Sequence, residues 1–156
     1  MTEFYAGQIA YQDLLEPKTF KVAAGVAIDR GQLCSMDSNG YLQAVDKVTT
    51  GPSVFKDGLF VALQKVDNTD GTTGTAGALS CQVACVRSRV VMEVGVVTIG
   101  MPVKTANNSN TRLVGTGATR VANSVVGTVY EFPGAPDKIK SAAGDLAVID
   151  LGIGVG

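Results

Sequence analysis

Residues 92–103 read MEVGVVTIGMPV, and residues 22–34 read VAAGVAIDRGQLC. Both run from an apolar stretch through Gly-Val (Gly25-Val26 and Gly95-Val96) to a second glycine, Gly31 or Gly100, which opens another apolar stretch. The segments after each phrase are also alike. GQLCSMDSNGYLQAV and MPVKTANNSNTRLVG each give strand, polar turn and strand; DGLFVALQKV and SVVGTVYEF come next; AGALSCQVACV and AAGDLAVIDLG close each copy. The similarity is loose and gapped, but it predicts a repeated unit of short strands, approximately residues 20–90 and 91–156, each too small to bury its own apolar face alone. Two such units packed together make one β core, a compact sandwich or barrel-like domain.

The local signals agree with an all-β chain. Asn39-Gly40 lies between two apolar runs, and both residue types tolerate positive φ, which predicts a hairpin. DGLFVALQKV reads as one strand and NTDGTTGTAG as a loop. In ALSCQVACVRSRVVMEV, alternation puts Leu79, Cys81, Val83 and Cys85 on one face, yet Val86, Val90, Met92 and Val94 on the other. The buried face therefore switches near Val86, through a bulge, a bend or a change of sheet. No long apolar stripe of period 3.6 exists. Ala142 to Ile149 has room for one helical turn, but Val148 and Ile149 favour strand.

Residues 1–19 read as an extended arm ahead of a single β domain at 20–156. Phe4, Tyr5, Ile9, Tyr11, Leu14 and Leu15 are apolar anchors with neither period, and Pro17 ends any helical turn before it. Such an arm is ordered only where a surface receives those anchors.

Composition narrows function. The chain has 156 residues, the size of one domain, of which 46% are hydrophobic and only 17% charged, against roughly 25% charged in ordinary soluble domains. A charge-poor surface is either covered by partners or coated with Thr, Ser, Asn and Gln. A net charge of −1 gives no basic excess to attract phosphate backbones, so no nucleic acid is expected. No basic and apolar leader opens the chain, and its most apolar window, Leu79 to Ile99, is broken by Gln82, Arg87, Arg89 and Glu93. No membrane partner is expected, and synthesis is expected in the cytosol.

With no histidine, a His-ligated metal, a Ser-His-Asp triad and a Cys-His dyad are excluded. The three cysteines have neither disulfide-scaffold nor zinc spacing and read as small buried hydrophobes. GTGATR at 115–120 places Arg120 where a dinucleotide fingerprint needs glycine. Residues 67–71, DNTDG, lack the later carboxylates of a calcium loop. Neither an enzyme nor a cofactor is expected. Arg87 and Arg89, two apart on one strand face, would project together as a two-pronged donor, at an exposed strand end or in an intersubunit salt bridge.

The succession of apolar strand, Gly-Val, second glycine opening a strand (Gly25 to Gly31, Gly95 to Gly100), hairpin, and a strand of the form GLFVAL or SVVGTV resembles the small capsid decoration, or cement, proteins of tailed bacteriophages. The resemblance runs over residues 20–151. It implies a β-tulip-like fold, a homotrimer seated on the outer surface of the virion capsid, the major capsid protein as partner, and no catalytic residues. The arm and the long Thr/Asn/Gly loops depart from the shortest members. If the core is complete from Phe20 onward, as the paired repeats suggest, the surface that receives the arm belongs to a neighbouring subunit or to the capsid; otherwise it belongs to the arm's own domain. In the first case, deleting residues 1–19 is expected to leave a folded β domain with weakened assembly or capsid attachment, whereas unfolding would show that the arm belongs to the core. A second reading is a β-sandwich receptor- or carbohydrate-binding module of a phage tail or fibre. The absence of Trp and the presence of only four Tyr leave that reading few sugar-stacking platforms.

Overall fold

The computed structural model describes residues 4–9, 17–70, 74–118 and 121–154. The chain is all-β, and no helix occurs among the described residues. Twelve strands run in chain order: β1 (Lys18–Lys21), β2 (Ala27–Ile28), β3 (Leu33–Met36), β4 (Leu42–Ala44), β5 (Phe60–Ala62), β6 (Val66–Asp67), β7 (Ser80–Ala84), β8 (Arg89–Val94), β9 (Pro102–Thr105), β10 (Arg112–Gly115), β11 (Val125–Glu131) and β12 (Leu146–Gly154). The first half forms a five-stranded sheet in the order β1-β7-β5-β3-β4, with β2 and β6 as a separate two-stranded ribbon. The second forms a closed barrel, β10-β8-β12-β11-β9.

The two orders are the same walk. Reading β8 for β1, β12 for β7, β11 for β5, β9 for β3 and β10 for β4 converts one into the other. Individual hydrogen bonds correspond as well. The N–H of Gly31 donates to the Ala62 carbonyl (2.8 Å) and that of Gly100 to the Val129 carbonyl (2.8 Å); Ala62 and Val129 return bonds to Gln32 (2.9 Å) and Met101 (3.0 Å). Both glycines hold positive φ, +80° and +81°, a conformation that costs a residue with a Cβ. The barrel closes where β10 runs parallel to β8, pairing Arg112 with Glu93 and Leu113 with Val94. In the first half, closure is reduced to a single parallel bridge from Val22 to Leu42.

Two sequence readings need correction, and two, the hairpin and the face switch, gain detail. Gly25 and Gly95 are not equivalent: Gly25 has φ +69° and Gly95 has no positive φ. Gly95 donates to Leu113 as Ala23 donates to Leu42, so Ala23 is its counterpart. The hairpin between β3 and β4 exists, but only Gly40 of the Asn39-Gly40 pair is left-handed. Asp37 organises the turn by accepting, through Oδ1, the N–H groups of Asn39 and Tyr41, both at 2.9 Å. DGLFVALQKV is two strands, because at Leu63-Gln64 the chain leaves the large sheet: the side-chain Oε1 of Gln64 accepts the Gln82 N–H (2.8 Å). Lastly, the face switch near Val86 is a turn between β7 and β8, closed by Ser88 N–H to the Cys85 carbonyl (3.0 Å). The strands on its two sides belong to different sheets.

One hydrophobic cluster joins the halves. It takes Leu33, Phe55, Val61 and Ala84 from the first and Val90, Met92, Val103, Leu113 and Ile149 from the second. A smaller cluster lies within the first half, containing Val22, Ile28, Leu42 and Val83 with Cys34 and Cys81. Buried Asn110 adds a polar tie, donating to the Val45 carbonyl (2.7 Å) and accepting from the Gln32 amide (3.1 Å). Its backbone carbonyl receives the N–H of Leu33 (2.8 Å). A buried amide satisfied on all these sides fixes the register between the halves more firmly than apolar contact alone.

Candidate interaction surfaces

The N-terminal residues 4–9 dock on their own chain. Gly7 N–H donates to the Val91 carbonyl and Val91 N–H to the Gln8 carbonyl, both at 2.7 Å, and Ile9 bridges Val90. These residues occupy the edge of β8 opposite β12, at the end that β10 does not reach. The sequence permits the approach because Ala6-Gly7 is small. A Cβ on Gly7 would meet Arg30 Cγ and Gly31 N at 2.6 Å and the Ala62 carbonyl oxygen at 2.7 Å. Gly7→Ala, which also strains a φ of +82°, is expected to cost about 1–3 kcal/mol and to lift residues 4–9 away. Amide exchange at Val91 reads this directly: its protection falls in the variant, whereas retained protection would show that the close approach is not required.

Phe4 and Tyr5 remain 37% and 46% exposed although docked, so each presents one face outward. The Tyr5 ring lies 4.8 Å from the Arg30 guanidinium carbon, within cation–π range. Phe4 packs toward Gly134 and borders a shallow groove of about 400 Å3 with Phe132, Pro133, Lys138 and Asp145. A larger open cleft of about 480 Å3 lies between Tyr5, Gln8, Ile9, Pro17 and Leu63. The segment 4–9 thus packs on its own chain. β1 begins at Lys18, so an arm drawn to residue 19 shares its last two residues with a strand. Tyr11, Leu14 and Leu15 lie outside the described residues.

Arg87 and Arg89 do not form a two-pronged donor. Arg87 sits in the turn before β8 with φ +79°, and its N–H donates to the Leu151 carbonyl (2.9 Å). Arg89 begins β8, opposite Asp150 on β12. Its guanidinium carbon stands 3.8 Å from the centre of the Tyr130 ring and its Nε 3.8 Å from Asp150 Oδ2. The Arg89–Tyr130–Asp150 group is a half-exposed patch of mixed chemistry that sequence reasoning missed, since Tyr130 and Asp150 are far along the chain and only the barrel register brings them beside Arg89.

No group of three or more metal-ligating side chains occurs among the described residues. The thiols are poor nucleophiles at neutral pH: burial pushes Cys81 up to about 11 and Cys34 further still, and raises Cys85. Asp145 is held below its ordinary value near 3.8, chiefly by its hydrogen bond from Lys138 Nζ (2.7 Å) and also by the Ala142 N–H (2.8 Å). A depressed folded-state value contributes stability above the ordinary value and loses it as pH falls through the folded one. The melting-temperature difference between wild type and Asp145→Asn is therefore expected to shrink below about pH 4. A difference that stays constant into acid would contradict this.

No family model matches the chain, and no curated protein matches it. Among solved structures, it is similar to the crystal structure of the head fiber gp8.5 N base in bacteriophage phi29. The TM-score is 0.52 over 87% of this chain and 94% of that one, at 13% sequence identity. Likeness at that identity is likeness of fold: nearly the whole of each chain shares an all-β arrangement.

Proposed function

We propose that the protein is a non-enzymatic structural component of a phage head, a decoration protein bound to the outer surface of the assembled capsid, with the major capsid protein as partner. The observation that carries this reading is the shared fold with the phi29 head fiber N base over almost the full length of both chains, joined to a charge-poor composition. Binding the assembled shell and not its dissociated subunits would stabilise the shell by mass action. A homotrimer would add multivalency, turning individually modest contacts into strong retention. Among the described residues, Phe4, Tyr5, Ile9, Arg87 and Arg89 are the candidate contact residues. The alternative, a receptor- or carbohydrate-binding module of a tail or fibre, draws on the same neighbour, which is the base of a head fiber; binding to heads separates the two readings.

The test is co-sedimentation of the purified protein with phage heads lacking it. Saturable binding at a fixed number per capsid is expected. Failure to sediment with heads at tens of micromolar would contradict the proposal.

A further inference from the structure

Docking of residues 4–9 on β8 brings Tyr5, Gln8 and Ile9 beside Pro17, Leu63 and Gln82, around the open cleft of about 480 Å3. That is an ordinary volume for a small-ligand site, and its walls are held in place. Tyr5 N–H donates to Gln8 Oε1 and Gln8 N–H to the Tyr5 carbonyl, both at 3.3 Å, while Arg30 stands against the Tyr5 ring. Across the cleft, Leu63 N–H donates to the Gln82 carbonyl (2.9 Å) and Gln64 Oε1 accepts the Gln82 N–H (2.8 Å). These bonds fix the backbone that carries a second carboxamide.

The lining selects a class of ligand. No charged residue borders the cleft, so an ion entering it would give up water without gaining a counter-charge. Among the described residues, Gln8 Nε2 and the Gln82 carboxamide have no hydrogen-bond partner, and a purely apolar ligand would cover them unsatisfied. What matches is a neutral molecule with one apolar face for Tyr5, Pro17 and Leu63 and a rim of groups that both donate and accept, as hydroxyls do. A sugar ring has that form. An extended peptide matches it less well, because β7, which carries Gln82, is paired on both sides by β1 and β5 and offers no free edge for strand addition.

We propose that this cleft binds a neutral saccharide, with Tyr5 as the stacking platform and the carboxamides of Gln8 and Gln82 as partners of its hydroxyls. The inference stands independently of attachment to the head: a head-bound protein can carry such a site, and the binding assay that tests it contains no heads.

The test titrates the full-length, isotopically labelled protein with maltose, cellobiose, lactose and di-N-acetylchitobiose, and with a neutral Gly-Ser peptide for comparison, following amide and carboxamide signals by NMR. The variants are Gln82→Ala, Tyr5→Ala and, as a control at another exposed ring, Tyr130→Ala (41% exposed); protection of the Val91 amide reads whether residues 4–9 stay docked. At least one disaccharide is expected to shift the Gln8 and Gln82 signals saturably at millimolar concentration. Gln82→Ala, whose side chain has no bond in the protein to lose, is expected to keep its melting temperature and bind at least about fivefold more weakly. Tyr5→Ala is expected to bind more weakly still, and Tyr130→Ala to bind as wild type. If Tyr5→Ala undocks the segment, Gln82→Ala decides alone. No saturable binding of any of the four sugars at tens of millimolar overturns the proposal. So does undiminished binding by Gln82→Ala, or equal weakening by Tyr130→Ala. Tighter binding of the peptide than of every sugar would assign the cleft to a peptide and overturn it too.

Discussion

Replacing Gly127 by alanine is expected to cost about 3 kcal/mol and to lower the melting temperature by roughly 6–12 °C. Gly127 lies in β11 between the pairings to β12 and β9, at a register shift in the β11–β12 ladder. A Cβ there would stand 2.1 Å from the Asp150 carbonyl oxygen and 2.9 Å from its carbon. Backbone atoms cannot rotate aside as a side-chain end can, so the two strands must separate where the barrel is most tightly paired. A glycine at such a bulge is required by close approach of backbones, not by its torsion angles. Gly152→Ala is the control, since a Cβ on Gly152, also in the β11–β12 region, meets nothing within 4 Å. Similar small effects of both substitutions in calorimetry would contradict the packing described for β11 against β12.

Phe55→Ala is expected to cost about 3–5 kcal/mol, the range for deleting a buried aromatic ring. Phe55 lies between β4 and β5, outside any strand, yet is 2% exposed and belongs to the cluster that both halves share. Its N–H donates to the Asn123 carbonyl in the second half (2.9 Å). Because the ring serves both halves, its loss is expected to shift one cooperative transition downward. A split into two transitions, or a shift confined to one, would show that the halves fold separately.

The repetition of the strands was legible because equivalent strands carry equivalent phrases, but their order across each sheet was not. AGALSCQVACV and AAGDLAVIDLG fall on β7 and β12 in matching register: Cys81 pairs with Phe20, and Ala147 with Met92. Apolar periodicity reports such pairings locally. Features set by contacts between distant segments were not legible. The break after Ala62 depends on a glutamine side chain substituting for backbone in the ladder, and the mismatch of Gly25 with Gly95 on a loop that differs in length between the copies. Phe55 looked like a loop residue because its burial comes from the other half. Of the candidate contact residues, Phe4 and Tyr5 emerged on the surface, held there by Gly7, whose need for close approach no propensity signals. Arg87 and Arg89 were read as one strand face, but the left-handed turn at Arg87 separates them, and Tyr130 becomes Arg89's neighbour only once the barrel is closed.

The most direct measurement is the composition of purified virions. After gradient purification, quantitative mass spectrometry of the particles is expected to find this protein in a fixed ratio to the major capsid protein, unchanged by further washing at moderate salt. Its absence from the particles, or a ratio that falls with each round of purification, would contradict a structural role on the head.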